Sequence, residues 1–173
     1  MGEKRVLLVV DMLNDFVLEG APLEVASSRS IIPAIRRRIE GARSNGIPVI
    51  YVCDAHQIDD EEFNVWPRHA VKGTEGAKVI RELAPLPGDI VVEKTRYSGF
   101  FRTNLEELLR GLQVRRITIV GILTNICVLF TAADAVMRGF AVEIPRDSVA
   151  AATKEEHEFA LEQMAKVLGA RII

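Results

Sequence analysis

The chain has 173 residues, 49% of them hydrophobic and 27% charged, with a formal net charge of −2. That length suits one domain with a core of its own, and the balance excludes both a disordered chain and a membrane protein. The basic run Arg36 to Arg38 is too isolated to make a nucleic-acid footprint, and the two cysteines, Cys53 and Cys127, form neither a disulfide framework nor a thiolate metal motif.

Continuous apolar runs of strand length alternate with segments of helical period, the pattern of a parallel sheet covered on both faces. RVLLVVD (5–11) reads as the first buried strand. The following SSRSIIPAIRRRIEGARSNG places Ile31, Ile35, Ile39 and Ala42 on one stripe, takes Pro33 in its first turn, and has Gly46 past its end. IPVIYVCD (47–54), DIVVEK (89–94), RRITIVG (115–121) and FAVEIPRD (140–147) are the next four strands, and ARII closes the chain as a sixth. Helices are expected in TNLEELLRGL with Thr103 as its cap, from 126 to 138 with Gly139 beyond, and in TKEEHEFALEQMAKVLG capped by Thr153. The expectation is a single α/β domain over 1–173, three-layered αβα, with a parallel six-stranded sheet. The apolar runs fall well short of the roughly 20 residues of a membrane span, and the first residues lack a signal-peptide layout, so a cytoplasmic location is expected.

The segment 55–76, AHQIDDEEFNVWPRHAVKGTEG, breaks this rhythm: it is polar, lacks periodicity, and holds two of the three histidines and the only tryptophan. Long irregular loops in compact domains are usually functional, and ligands of open parallel sheets bind beyond the carboxyl ends of the strands. Asp11, Asp54, Lys94 and Gly121 end the first four strands, with Cys127 a few residues beyond the last, so all gather at one edge.

Cys127 has two readings. As a nucleophile it needs its pKa lowered from about 8.5, which a helix N-terminus and the Lys94 ammonium would do together, and a carboxylate such as Asp11 to move the proton. As a core residue it is inert, with Asp11 capping a turn and Lys94 a strand-end charge. The loop likewise reads as a metal pocket, since Asp54, His56, several acids and His69 are donors suited to zinc, iron or manganese, or as a solvated acidic loop.

LLVVDMLNDF, VEKTRYSGF and VGILTNICVLFTAADAVMRGF, in that order along nearly the whole chain, resemble the three signatures of the isochorismatase-like cysteine hydrolases. The resemblance implies an Asp11, Lys94, Cys127 triad, with Asp11 as proton shuttle, Lys94 as thiolate partner and Cys127 as acyl-forming nucleophile. It also implies a non-proline cis peptide at Ile122–Leu123, which aims the Leu123 N–H, with that of Cys127, at the oxyanion of the intermediate. Within the family the loop is similar to that of nicotinamidases, which implies metal ligands Asp54, His56, Glu62 and His69, with glutamate where many of those enzymes have histidine. The resemblance places Phe16, Trp66 and Tyr97 on the wall of a pocket for a flat ring.

The reading is a cysteine amidohydrolase that converts nicotinamide and water to nicotinate and ammonia with one divalent metal ion, Zn2+ before Fe2+ or Mn2+. Its rival keeps the triad, binds no metal and cleaves an N-carbamoyl, ureido or other small amide. A non-catalytic scaffold is a further class, whereas a nucleotide-binding module lacks any glycine-rich phosphate loop. The expected partners are a small-molecule amide, neither nucleic acid nor membrane, and further copies of the chain, because the Cys127 helix is apolar on most sides. Cys53 is read as inert packing and His157 as a solvated surface residue.

Overall fold

The computed structural model describes residues 3–173. Seven strands, all parallel, form one sheet: β1 (Arg5–Val10), β2 (Val49–Asp54), β3 (Ile90–Lys94), β4 (Arg116–Ile122), β5 (Ala141–Ile144), β6 (Val149–Ala150) and β7 (Arg171–Ile172). The order is β3-β2-β1-β4-β5-β7, with β6 also paired to β4. The chain therefore leaves β1 toward β2 on one side and returns to pair β4 on the other, which makes the β1/β4 boundary the place where a crevice opens at the strand ends.

Alternation along the buried strands assigns each side chain to one of two cores. Leu7 and Val9 of β1, with Val49, Tyr51 and Val120, pack under α1 (Asn14–Val17) and α2 (Ser28–Ser44). Leu8 and Val10, with Ile50, Val52 and Ile119, pack under α3 (Leu105–Gly111), α4 (Leu129–Met137) and α5 (Lys154–Lys166). The expected stripe of α2, Ile31, Ile35, Ile39 and Ala42, is buried as a unit. Each large apolar side chain so covered stabilises the fold by roughly 1.5–3 kcal/mol.

Three expectations need correction. FAVEIPRD does not run as one strand to 147: β5 ends at Ile144, because Pro145 offers no N–H to a ladder, and Arg146–Ser148 forms a 3-10 turn. The chain then returns to β4 as β6, the seventh strand, pairing at Gly121 and Ile122 where β5 has left off. Pro33 lies in the second turn of α2, not the first, since the helix begins at Ser28. The helix expected from 126 to 138 starts earlier and differently, as a π turn over Thr124–Val128 that leads into α4.

Of the two expected caps, Thr153 holds its position and Thr103 does not, since the cap position of α3 is Asn104. Thr153 and Glu156 form a reciprocal capping box on α5. Thr103 stands one residue ahead of the cap position of α3, where its Oγ1 accepts from the Leu105 N–H at 3.2 Å.

Candidate active site

The crevice at the strand ends is built by register. Asp54 and Lys94 are direct partners across β2 and β3, so their side chains leave the sheet on the same side. Asp11 follows β1 with φ of +50°, its N–H donating to Val52 and its Oδ1 accepting from the Asp54 N–H at 2.8 Å. Lys94 Nζ lies 2.8 Å from Asp11 Oδ2, 2.5 Å from Asp54 Oδ1 and 3.6 Å from Cys127 Sγ. Asp11, Lys94 and Cys127 are thus brought together, and all are buried.

β4 delivers Cys127 through a bend that only glycine accommodates. Gly121 has φ of +114°, and a Cβ there would sit 2.0 Å from the Val10 carbonyl oxygen. The next peptide, Ile122–Leu123, is cis, and Thr124 opens the π turn that carries Cys127. Ile122, Leu123, Ile126 and Cys127 all line the cavity.

The electrostatics revise the reading of the thiol. Burial pushes the Cys127 thiol well up, and the Lys94 ammonium, which favours the thiolate, is opposed by the charges of Asp11 and Asp54. The helix start and the lysine therefore do not offset burial, the first cause of the rise, and two carboxylates share the one lysine besides. Lys94 stays protonated: burial disfavours its charge, but Asp11 and Asp54 raise it well above the ordinary lysine range. Asp11 is pushed up to about 6 by burial and by the charge of Asp54, against the pull of Lys94. Burial acts against the Asp54 anion too, yet Lys94 and His56 hold it below the usual carboxylate range. The cluster thus holds a thiol beside a carboxyl poised near neutrality, the pairing that a proton transfer requires. Cys53 packs in the core, and burial pushes its thiol up.

Asp54 faces both ways. Its Oδ2 lies 3.7 Å from Nε2 of His56, too long for a hydrogen bond, and that buried nitrogen has no partner. Asp54, His56 and His69 each present an atom within 4.8 Å of the others. Both imidazoles are oriented from behind, His56 Nδ1 by Asp60 Oδ2 at 3.1 Å and His69 Nδ1 by the Pro67 carbonyl at 2.6 Å, which turns both Nε2 lone pairs forward. An orphaned imidazole nitrogen opposite a carboxylate oxygen, with a second imidazole beside them, fits a divalent cation of the zinc, iron or manganese kind. Asp15 of α1 supports this wall by accepting from the Ala70 N–H at 2.8 Å, and Phe63 packs edge-on against both rings.

Glu62 lines the same cavity but is not within that three-residue group. It rides on a 3-10 turn, Glu61–Asn64, capped by Asp60. Phe16, Trp66 and Tyr97 all reach the cavity wall, with the Trp66 Nε1–H donating to the Tyr97 hydroxyl at 3.1 Å. The cavity is about 300 Å3, the small end for ligand sites, and neither arginine nor lysine is among the described residues that line it.

Sequence reasoning missed three participants. Asp60, one of the unnamed acids of the loop, orients His56; Arg96 pairs with Asp60 at 2.9 Å; and His157, read as solvated, is half-buried against Thr124 Oγ1 at 3.0 Å. The spacing of Asp60 to His56, four residues, was the only signal in the sequence for the first.

The Isochorismatase domain family matches residues 5–173, nearly the whole chain. The uncharacterized isochorismatase family protein YaaI of Bacillus subtilis is 38% identical over 97% of this chain and 92% of its own length. Among solved structures, the N-carbamoylsarcosine amidase of Thermoplasma acidophilum superposes with a TM-score of 0.90 at 38% identity, covering 98% of this chain and 95% of its own. The pyrazinamidase of Pyrococcus horikoshii, in complex with zinc, does so at 0.91 and 35%, covering 98% of each. The fold and the cluster at its strand ends define an isochorismatase-like hydrolase. The chain belongs to the isochorismatase family.

Proposed function

We propose that the protein is a metal-assisted nicotinamidase, acting through an Asp11, Lys94, Cys127 triad and a thioester on Cys127. One observation carries this reading: Asp54 belongs at once to the Lys94 network and to the Asp54, His56, His69 donor group, so nucleophile and ring anchor face one cavity. The aromatic wall of Phe16, Trp66 and Tyr97 adds stacking surfaces for a flat heterocycle.

As Cys127 Sγ attacks the carboxamide carbon, Asp11 takes the thiol proton and Lys94 stabilises the charge passing through sulfur. The N–H groups of Leu123 and Cys127 receive the oxyanion. Collapse breaks the C–N bond as Asp11 returns its proton to the leaving nitrogen, releasing ammonia. Asp11 then accepts a proton from the water that attacks the thioester, and nicotinate leaves as the thiol re-forms. A divalent ion at Asp54, His56 and His69, when bound, supplies a Lewis-acid anchor for the ring nitrogen. The likeness to a pyrazinamidase in complex with zinc supports zinc first, then iron or manganese.

A second reading, cleavage of an N-carbamoyl or ureido amide without metal, is favoured by the likeness to N-carbamoylsarcosine amidase. Amides of that kind carry a carboxylate, and the described cavity lining offers no arginine or lysine to meet it. The reading extends to a cytoplasmic enzyme without nucleic-acid or membrane partners that self-associates through Phe130 and Met137, exposed by 49% and 74% on α4. Sedimentation of the purified protein as a monomer would remove the last point.

The deciding experiment is ammonia release from nicotinamide and from N-carbamoylsarcosine, with metal content on the same sample and Cys127→Ala as control. Release from nicotinamide, lost in the control and accompanied by about one metal ion per chain, supports the reading. Release from N-carbamoylsarcosine alone, without metal, replaces it with the second.

A further inference from the structure

His157 stands in the first turn of α5, yet its ring meets the turn that carries the nucleophile, 33 positions away from Thr124. Its Nδ1 lies 3.0 Å from Oγ1 of Thr124, a fully buried residue whose hydroxyl has no other hydrogen-bond partner among the described residues. Thr124 follows Leu123 and opens the π turn that ends at Val128, with Cys127 inside it. The Leu123 carbonyl accepts from the N–H groups of Ile126 and Val128 at 3.1 Å each, which closes the turn onto the residue before Thr124. The end of β4 is gripped by β6, which pairs Val149 and Ala150 with Gly121 and Ile122. Only Ala151 and Ala152 then separate β6 from the Thr153 cap. The capping box fixes the first turn of α5, where the His157 N–H donates to the Thr153 carbonyl at 3.2 Å, and so sets the imidazole against Thr124.

A buried hydroxyl needs a hydrogen-bond partner, and with one partner only its rotamer and the backbone beneath it are fixed together. Burial keeps the His157 ring below the ordinary histidine range, so near neutral pH it is uncharged and offers one N–H and one lone pair, either of which suits a hydroxyl. We propose that His157 is a positioning residue for the oxyanion site: by holding the Thr124 hydroxyl it holds the backbone from Leu123 to Cys127, whose N–H groups receive the oxyanion. His157 itself is not among the residues that line the cavity, so it acts through Thr124 and touches neither substrate nor thiol. Donors of this kind work because they are already aimed where charge develops, and a displacement of about 1 Å can cost about 10²-fold in rate. The inference rests on acyl transfer at Cys127, as in the function proposed above, and does not rest on nicotinamide as the substrate.

The test compares two reactions of Cys127 in the full chain, each corrected with Cys127→Ala. Acetylation by p-nitrophenyl acetate forms an S–C bond and breaks the ester C–O bond; Asp11 takes the thiol proton, p-nitrophenolate leaves, and charge develops on the carbonyl oxygen on the way. Alkylation by iodomethane also forms an S–C bond and gives the thiol proton to Asp11, but it expels iodide and has no oxyanion. His157→Phe, which keeps a ring and removes its nitrogens, lowers the acetylation rate at least about tenfold and leaves alkylation within about twofold of the parent. Thr124→Val does the same, and the double variant is no slower than either single one, because each removes the same bond. His157→Asn, whose amide stands near the place of Nδ1, restores most of the acetylation rate. Thr124→Val carries the test alone if circular dichroism shows His157→Phe unfolded. The inference is overturned if the hydrogen-bond variants acetylate as fast as the parent, or if acetylation and alkylation fall by one factor, since the histidine then only supports the fold. Alkylation of the parent without acetylation overturns the oxyanion placement, and a parent that neither reagent modifies loses the nucleophile and this inference together. A protein that behaves as expected yet releases no ammonia from nicotinamide keeps the inference and loses the substrate assignment alone.

Discussion

Removal of Lys94 isolates the electrostatic problem on which the site is built. Lys94→Met keeps an apolar stem of similar length in a fully buried position and deletes the charge that lies 2.8 Å from Asp11 and 2.5 Å from Asp54. Breaking a buried ion pair by removing one partner costs about 3–5 kcal/mol. For a chain of this size each kcal/mol moves Tm by about 2–4 °C, so a fall of about 6–20 °C is expected. The loss depends on pH in a definite direction. Asp11 is already raised to about 6, by burial first and the Asp54 charge second, with Lys94 pulling the other way, so without Lys94 it rises further. A carboxyl raised in the folded state favours folding at low pH and loses that contribution as pH climbs through its folded pKa. The variant is therefore hurt most at pH 8, where the Asp11 and Asp54 charges face each other without Lys94 between them, and least at pH 5, where Asp11 is protonated. Urea unfolding of parent and variant at both pH values, in metal-free buffer, measures this directly. Asp11→Asn added to Lys94→Met restores much of the stability, because asparagine still accepts the Asp54 N–H while one charge disappears. A destabilisation under about 1 kcal/mol at pH 8, or one equal at the two pH values, would refute the shared-lysine account.

Three further outcomes are expected. With Asp11 as the base, kcat/KM falls about tenfold per pH unit below a midpoint near 6, and Asp11→Asn lowers kcat by about 10²–10⁴; a flat profile down to pH 4.5 would exclude Asp11 from proton transfer. Gly121→Ala forces a Cβ to within 2.0 Å of the Val10 carbonyl at φ of +114°, so it costs at least about 1–3 kcal/mol of backbone strain in urea unfolding and lowers turnover by displacing Cys127. Asp60→Ala leaves the triad untouched but frees the His56 ring and the Glu62 turn, weakening zinc about 10–100-fold in chelator competition, while Asp60→Asn retains most of the affinity.

Much of this was legible in the residues. Strands, the α2 stripe and the α5 cap follow from periodicity and local chemistry, which depend on neighbours in sequence. The triad and the histidine pair were legible because their motifs end strands or interrupt the rhythm. What was hidden depends on partners distant in sequence: β6 exists because the chain rejoins β4 after Pro145, and Arg96 matters because a turn from 61–64 folds against the end of β3. The thiol was misjudged for the same reason. A helix start and a lysine lower a cysteine pKa, but burial, set by packing from distant parts of the chain, pushes this thiol up, and the charges of Asp11 and Asp54 oppose Lys94.

That second carboxylate explains why triad and donor group form one site. Asp54 is fixed opposite Lys94 by the β2/β3 register, and its backbone N–H is fixed to Asp11 across β1, so neither oxygen is free to choose its partner. One faces the lysine, the other His56. A slip of one residue between β2 and β3 would send Asp54 to the opposite face from Lys94, removing at once the lysine's second anion and a ligand of the donor group. The geometry of both constellations is thus a consequence of strand pairing, with the loop 55–76 bringing the two imidazoles to a position that the sheet has already set.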